Sequence, residues 1–117
     1  MKNLDAHITH INNIETPGDY IALADNGKLY PASYSAEFQT MFFAIPNTIA
    51  VSRFVPLDKI PFLSYDNVAI DDAFRFGPHW VVVREIYGPF ERRPFKTVYA
   101  DVNGGTRQAI IKLYPEG

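Results

Sequence analysis

The C-terminal third of the chain, from His79 to Tyr114, has the densest β-strand pattern in the sequence. Its three extended segments, HWVVVREIY, TVYADV and TRQAIIKLY, are rich in the β-branched and aromatic residues that favour strands. A wide loop, YGPFERRPFK, joins the first two segments, and Asn103-Gly104-Gly105 joins the last two. This region predicts an antiparallel meander.

The register of the last hairpin follows from its apolar residues. A turn centred on Gly104-Gly105 sets Ala100 opposite Ala109 and Val98 opposite Ile111, so residues of similar size share one face. A turn shifted by one residue pairs Val98 with Ala109, a poorer match in volume. Because a one-residue slip exchanges the two faces of a strand, the matched pairs favour the Gly-Gly turn. The opposite face then carries Tyr99, Ile110 and Lys112.

Residues 19–32 predict a second hairpin, because two alternating segments flank the dipeptide Asn26-Gly27. A two-residue loop at this dipeptide pairs Asp25 with Lys28, which are opposite charges directly across the strands. It also places four apolar residues on one face: Ile21, Leu23, Tyr30 and Ala32.

Residues 35–45 predict the one helix of the chain. Phe38, Met41, Phe42 and Ile45 recur at helical spacing, Ser33 or Ser35 is a suitable cap, and Pro46 ends the segment. Residues 4–15 suit a helix or a strand, with a strand favoured in the second half, and residues 48–55 predict a strand. Residues 56–62 predict an edge or an irregular crossing, because prolines cannot donate to a central ladder, and residues 65–76 leave open a short helix or a strand over 73–76. The order of elements predicts a single α+β domain over 1–117, an antiparallel β roll or partly open barrel with one packed helix.

Composition narrows the function classes. The 117 residues are 47% hydrophobic and 21% charged, which is typical of a globular protein. The net charge of −2 disfavours nucleic-acid binding, and the absence of cysteine excludes disulfides and thiol catalysis. The N-terminus shows no signal-peptide pattern and MFFAI is too short to span a bilayer, so we expect a cytoplasmic protein without a membrane partner.

The wide loop from Tyr87 to Lys96 is the first candidate for a contact surface. Two Pro-Phe pairs flank Arg92-Arg93, and prolines reduce the entropy that a loop loses on binding. Arginine and aromatic residues are frequent in binding hot spots. The six predicted contact residues are Tyr87, Phe90, Arg92, Arg93, Phe95 and Lys96. The alternative is an ordinary hairpin connection whose phenylalanines fold back onto the core and whose arginines are solvated.

Other polar residues give weaker patterns. His79, Trp80 and Tyr99 are candidate lining residues of a ligand pocket. His7 and His10 stand at a spacing that a helix would bring to neighbouring positions, and Asp5 or His79 is a conceivable third ligand, but this spacing without a stronger motif is more typical of surface histidines. The adjacent Asp71-Asp72 pair diverges in either a helix or a strand, so a solvated turn is the better interpretation. No catalytic or phosphate-binding motif is present, and no metal or cofactor is predicted.

The stretch INNIETPGDY at 11–20, followed by Asn26-Gly27-Lys28 and Tyr30, resembles the opening of a LytTR-type DNA-binding domain. Residues 48–60 loosely follow a later strand of that family. The resemblance implies DNA binding at Arg53. Only Ser52-Arg53 stands where the family has a His-Arg-Ser-like basic segment, so we do not assign the chain to this family.

The sequence therefore predicts a small, non-catalytic binding protein that acts through protein–protein contacts, with loop 87–96 presented to the partner. Two alternatives remain open: a ligand-binding or enzymatic β-barrel with an aromatic-lined pocket, and a nucleic-acid-binding module. Homo-oligomerisation is also left open.

Overall fold

The computed structural model describes residues 2–43, 50–105 and 107–115. Two compact units divide the chain, one spanning Lys2–Ile60 and the other beginning at Pro61. The N-terminal unit contains α1 (Lys2–Asp5), β1 (Thr9–His10), a 3₁₀ turn (Ile11–Asn13), β2 (Gly18–Ala24), β3 (Leu29–Ser35), β4 (Thr40–Phe43), β5 (Val51–Pro56) and a second 3₁₀ turn (Leu57–Lys59). The C-terminal unit contains β6 (Ala73–Phe76), β7 (His79–Tyr87), β8 (Lys96–Val102) and β9 (Gln108–Leu113).

The N-terminal unit is built on a five-stranded antiparallel sheet in the order β1-β5-β2-β3-β4. Its central strand β2 is buried on both faces, since the consecutive residues Tyr20, Ile21 and Ala22 all lie in the interior. One core cluster of this unit joins strands that are distant in the sequence: Ile14, Tyr20, Ala22, Ala32, Met41 and Phe54. The predicted strands over 19–32 therefore lie in one sheet with β5, which confirms the described part of the predicted strand 48–55, while residues 48 and 49 lie outside the described residues.

The β2–β3 hairpin is present, but its predicted register is wrong by one residue. Ala22 pairs with Tyr30, and the amide of Ala24 donates to the carbonyl of Lys28 at 3.1 Å, which leaves a three-residue loop. In this loop Gly27 has φ of +81° and the Asn26 side chain accepts a hydrogen bond from the Lys28 amide at 2.9 Å. A three-residue loop needs a positive φ only at its last position, which glycine supplies.

The predicted helix over 35–45 is also wrong. Residues 36–39 form a turn, residues 40–43 form the edge strand β4, and Ile45 lies outside the described residues. Gln39 has φ of +50°, which a helix does not allow. Only Met41 enters the core, whereas Phe38 and Phe42 are exposed and their rings meet edge to face. A short apolar run fits the helical and the strand periodicity equally well, and here pairing with β3 stabilises the strand.

The C-terminal unit is a four-stranded antiparallel sheet in the order β6-β7-β8-β9. One face of this sheet forms the core cluster Phe74, Val81, Val83, Val98, Ala100, Ile111 and Leu113. Leu63, Tyr65 and Val68 pack against that cluster from the connecting segment. Tyr99, Ile110 and Lys112 lie on the opposite face, with Ile110 and Lys112 exposed. The predicted register of this hairpin is confirmed, with Ala100 opposite Ala109 and Val98 opposite Ile111. The β-turn within it differs from the prediction, because the Gly105 amide donates to the Val102 carbonyl at 3.0 Å and so places Asn103 and Gly104, both at positive φ, at the centre of the turn.

A β-bulge at Arg84 interrupts the pairing of β7 with β8. Val83 pairs with Ala100 and Glu85 pairs with Tyr99, so Arg84 is an extra residue on the β7 side. Its guanidinium contacts Asp101 at 2.7 Å and Asp71 at 3.3 Å. The hydrogen bond to Asp101 is the main reason that the pKa of Arg84 is raised above its ordinary value. After the bulge, Ile86 returns to the same face as Val83.

The mainly antiparallel character of the fold is confirmed, and one of the sheets is a half barrel. In the described part of the chain no polar or charged residue is buried. None of the helices within residues 2–43, 50–105 and 107–115 has the length and hydropathy needed to cross a membrane. The single-domain organisation stays a prediction.

Candidate functional site

The loop between β7 and β8 contains a small hairpin of its own. The amide of Phe90 donates to the carbonyl of Arg93 at 2.9 Å, and the amide of Arg93 donates to the carbonyl of Phe90 at 2.9 Å. These two bonds close a turn with Glu91 and Arg92 at its tip. The loop therefore has a defined backbone, which the two prolines alone did not establish.

Gly88 fixes the base of this loop. Its φ is +86°, and a Cβ at this position would lie 2.8 Å from the carbonyl oxygen of Phe95 and 3.4 Å from the ring of Phe90. The backbone on the two sides of the loop thus approaches closely at Gly88, and only glycine leaves room for the approach. The loop is narrow at its base and carries its turn at the far end.

Four of the six predicted contact residues are exposed, Tyr87 at the end of β7 and three others near the tip of the loop. The Phe90 side chain is 61% exposed, and Arg92 and Arg93 are exposed beside it. Neither guanidinium forms an ion pair or a hydrogen bond with any residue that the structure describes. An exposed phenylalanine and two arginines with free donors therefore stand together at the tip.

Phe95 and Lys96 are placed differently, because both side chains fold back onto the unit. The Lys96 ammonium donates to the carbonyl of Tyr65 at 2.8 Å and lies 4.1 Å from the centroid of the Tyr65 ring. The Phe95 ring lies 5.3 Å from the ring of Tyr114, with the Lys112 ammonium 5.2 Å from its centroid. The second Pro-Phe pair therefore anchors the loop, while the first is exposed.

Tyr87 adds an aromatic surface at the end of β7. Its ring meets that of Tyr99 edge to face at 5.7 Å, and its hydroxyl donates to the Glu85 carboxylate at 3.1 Å. The hydrogen bond to Glu85 is the main reason that the pKa of Tyr87 is raised. Since Tyr87 and Tyr99 face away from the core cluster, they extend the loop surface onto the opposite face of the sheet at the C-terminal end of β7.

The three predicted pocket residues are not all neighbours. His79 is exposed and its Nδ1 lies 3.2 Å from the Asn103 side-chain nitrogen, while Trp80 is only 3% exposed. Tyr99 pairs with Glu85, five residues along β7 from Trp80. Five residues of strand span roughly 15 Å, so a small ligand at Trp80 would not contact Tyr99. A pocket lined by all three has no support from this register.

The structure separates the two histidines considered from the sequence and engages one of the carboxylates in an ion pair. His7 follows α1 in a turn and His10 belongs to β1, so the two do not share a helix face. Asp71 is held in an ion pair with Arg84. Among the described residues, no group of three histidine, aspartate or glutamate side chains is placed to hold a metal ion.

Sequence reasoning missed two residues that border the loop, Lys112 and Tyr114. The confirmed register already placed Lys112 on the exposed face, and Tyr114 follows at the next position on that face.

Basic and acidic residues are unevenly distributed along the chain. Residues 87–115 contain five basic side chains and two acidic ones, although the whole chain has eleven basic and thirteen acidic residues. The loop and the last two strands therefore form the basic part of an acidic chain.

Comparison with known proteins gives no relative for this chain. No protein-family model, no curated protein and no solved structure matches it.

Proposed function

We propose that this is a non-catalytic binding protein that acts through protein–protein contacts, with loop 87–96 presented to the partner. The observation that carries the proposal is the closed turn between Phe90 and Arg93, whose two backbone hydrogen bonds are both 2.9 Å long. A loop with a fixed backbone loses less entropy when it binds. Cytoplasmic location belongs to the same proposal, and fractionation of host cells tests it.

The exposed side chains of the loop suit a protein partner. Phe90 offers apolar surface, and Arg92 and Arg93 offer planar donors that pair with carboxylates. Arginine and large aromatic residues supply a disproportionate share of binding energy in protein interfaces. Phe95 and Lys96 support the loop from below through their contacts with Tyr114 and Tyr65.

Affinity capture from an extract of the native host tests the proposal. A tagged protein with Phe90, Arg92 and Arg93 replaced by alanine should fold normally and lose the partner that the wild type retains, as read by mass spectrometry. The matched control replaces Phe38, Lys28 and Lys59, which are also one exposed phenylalanine and two exposed cations. If the loop variant retains the same proteins as the control, the proposed function is wrong.

The uneven charge favours nucleic-acid binding as the second candidate. Residues 87–115 combine a surplus of three positive charges, from five basic and two acidic side chains, with the exposed aromatic rings of Tyr87 and Phe90. Stacking rings beside cations are typical of single-strand binding. A gel shift with single-stranded DNA and RNA at low salt tests this candidate, because the electrostatic contribution is largest there. Absence of a shift eliminates it.

A further inference from the structure

The strand β9 lies at one end of the C-terminal sheet, and no described strand pairs with its outer side. The other edge of the same sheet is covered. There the amide of Leu63 donates to the Arg75 carbonyl at 2.8 Å, and the Arg75 amide donates to the Pro61 carbonyl at 2.9 Å. An uncovered edge presents backbone donors and acceptors that another strand can use.

The groups that point outward from β9 follow from its register. The amide of Val102 donates to the carbonyl of Arg107 at 2.8 Å, so these two residues form a hydrogen-bonded pair. Hydrogen-bonded and non-bonded pairs alternate along an antiparallel ladder. The amides and carbonyls of three alternate residues therefore point away from β8: Gln108, Ile110 and Lys112.

The side chains of these three residues are exposed, and Ile110 is 65% exposed. The intervening residues Ile111 and Leu113 belong to the core cluster at its margin. A strand added beside β9 would extend that core with apolar side chains on one face. On the other face, its side chains would meet Ile110 and Lys112.

The positive charge of β9 makes some partner strands bind more favourably than others. Arg107 and Lys112 form no ion pair with a described residue, and Asp101 is already held by Arg84 at 2.7 Å. A second copy of β9 would bring four cations and no carboxylate within residues 107–113 of the two strands. A second copy therefore supplies no carboxylate for either cation, whereas an acidic segment neutralises both, so the charge of the edge favours an acidic segment over self-pairing.

We propose that the outer edge of β9 binds an extended acidic segment of a protein partner as an additional antiparallel strand. This proposal rests on the protein-binding function proposed above. It adds which part of the partner binds at β9, next to the loop. A carboxylate of the segment lies opposite Lys112, an apolar side chain lies opposite Ile110, and alternate residues extend the core beside Ile111 and Leu113. This is the β-augmentation mode of peptide recognition.

The edge fits a polypeptide better than a nucleic acid. Outward amides and carbonyls occur together at Gln108, Ile110 and Lys112, so the edge offers donors and acceptors in equal number. Another strand matches both kinds of group. A phosphate backbone offers acceptors only and would leave the carbonyls without partners.

Fluorescence anisotropy with designed peptides tests the proposal on the full chain. The probe is the labelled peptide Val-Glu-Val-Tyr-Val-Thr-Glu, whose first glutamate falls opposite Lys112 and whose tyrosine falls opposite Ile110. One control peptide has lysine in place of both glutamates, and another carries N-methyl groups on the backbone nitrogens that face β9. We expect the acidic probe to bind about tenfold more tightly than either control at low salt.

Variants of β9 separate backbone pairing from side-chain contact. Ile110→Pro removes an outward amide and should abolish binding of the acidic probe, whereas Ile110→Thr keeps the amide and should weaken binding only about threefold. Gln108→Pro removes a different outward amide and leaves Ile110 in place, so it repeats the test if Ile110→Pro fails to fold. Lys112→Glu should reverse the preference and bind the lysine peptide more tightly.

The outcomes that would overturn the proposal are distinct from those that would overturn the proposed function. Equal binding of the N-methylated peptide excludes strand addition, and so does absence of binding at about 1 mM probe. Binding of a single-stranded DNA oligonucleotide without binding of the acidic peptide would also exclude it. If the host partner depends on Phe90, Arg92 and Arg93 but not on any β9 variant, protein binding stands and the edge proposal fails. If the partner is indifferent to the three loop residues, the proposed function itself fails.

Discussion

The two tight hairpins of this protein differ in how many of their faces are buried. In the β2–β3 hairpin, Ile21 and Ala22 point to opposite faces and are both 0% exposed. In the β8–β9 hairpin, Ile111 is 5% exposed and its neighbour Ile110 is 65% exposed. Strand β2 of the first hairpin is thus buried on both faces, whereas strand β9 of the second has one face and one edge left for solvent or a partner.

This difference shows what determines register in each hairpin. Where one face is buried and the other is exposed, a slip by one residue would bury Lys112 and expose Ile111, so the side chains specify the register. Where both faces are buried, a slip exchanges one set of apolar residues for another. The loop geometry then has to specify the register, through the positive φ of Gly27 and the hydrogen bond of Asn26 to the Lys28 amide.

The largest effect should come from charges placed in β2. Ile21→Asp and Ala22→Asp each bury an unpaired carboxylate, which costs on the order of 3–5 kcal/mol of unfolding free energy. Both variants should unfold the N-terminal unit, as measured by circular dichroism in a urea titration. If either one retains the wild-type midpoint, β2 is not buried on both faces.

Alanine substitutions at the two adjacent isoleucines of β9 should have unequal effects on the free energy of unfolding. Ile111→Ala leaves a cavity in the core cluster and should lower the unfolding free energy by about 2–5 kcal/mol. Ile110→Ala removes an exposed side chain and should change it by less than about 0.5 kcal/mol. Chemical denaturation of the two variants measures the difference, and equal losses would mean that the register is wrong.

Alanine substitutions at Gly27 and Gly105, one in each turn, should change the free energy of unfolding in opposite directions. Gly27 has φ of +81° and nothing within 4 Å of a new Cβ, so Gly27→Ala should cost about 1–2 kcal/mol through the backbone alone. A Cβ on Gly105 would meet the Val102 carbonyl at an ordinary 3.5 Å. Gly105→Ala should therefore stabilise by about 0.4–1 kcal/mol, because it restricts the unfolded chain. Thermal unfolding resolves the two, and a destabilising Gly105→Ala would contradict this account of the second turn.

The smallest effect concerns Tyr20 and pH. Its hydroxyl donates to the Thr16 carbonyl, and burial is the first cause that raises its pKa above 10.0, followed by the Asp58 carboxylate. A pKa that is higher in the folded state contributes stability below pH 10, and that contribution is lost as the pH rises through the folded value. Tyr20→Phe should cost about 0.5–1.5 kcal/mol at pH 7 and make the alkaline loss of stability shallower. Urea midpoints of the wild type and of Tyr20→Phe, measured from pH 7 to above pH 10, test both the cost and the pH dependence. An alkaline loss of stability as steep as that of the wild type would refute the predicted pH dependence.

The register or type of an element could be predicted from the sequence where one physical requirement alone determines it. The β8–β9 register could be predicted because only one alignment buries matched residues on one face. The Asn26-Gly27 dipeptide indicates a turn but not its length, since two- and three-residue loops both place Gly27 at positive φ. The stripe of Phe38, Met41 and Phe42 suits a helix by spacing, but pairing with β3 is a tertiary interaction that the local pattern does not contain.

The candidate site was predictable only in part for a similar reason. Exposure of Phe90, Arg92 and Arg93 agrees with their position in a loop. Lys96 is held by the carbonyl of Tyr65, which belongs to the 65–76 segment where the sequence left a helix and a strand open. The basic character of residues 87–115 was present in the sequence, but the overall net charge of −2 conceals it.

The bulge at Arg84 has a consequence for the permitted length of β7. Val83 already pairs with Ala100 and Glu85 with Tyr99, so the residue between them has no pairing position of its own. Deleting it would leave every cross-strand pair of the sheet in place and remove only the ion pairs to Asp71 and Asp101. The strand can thus differ by one residue in length without any change of register, and homologues that lack this residue would align across the gap with the same fold.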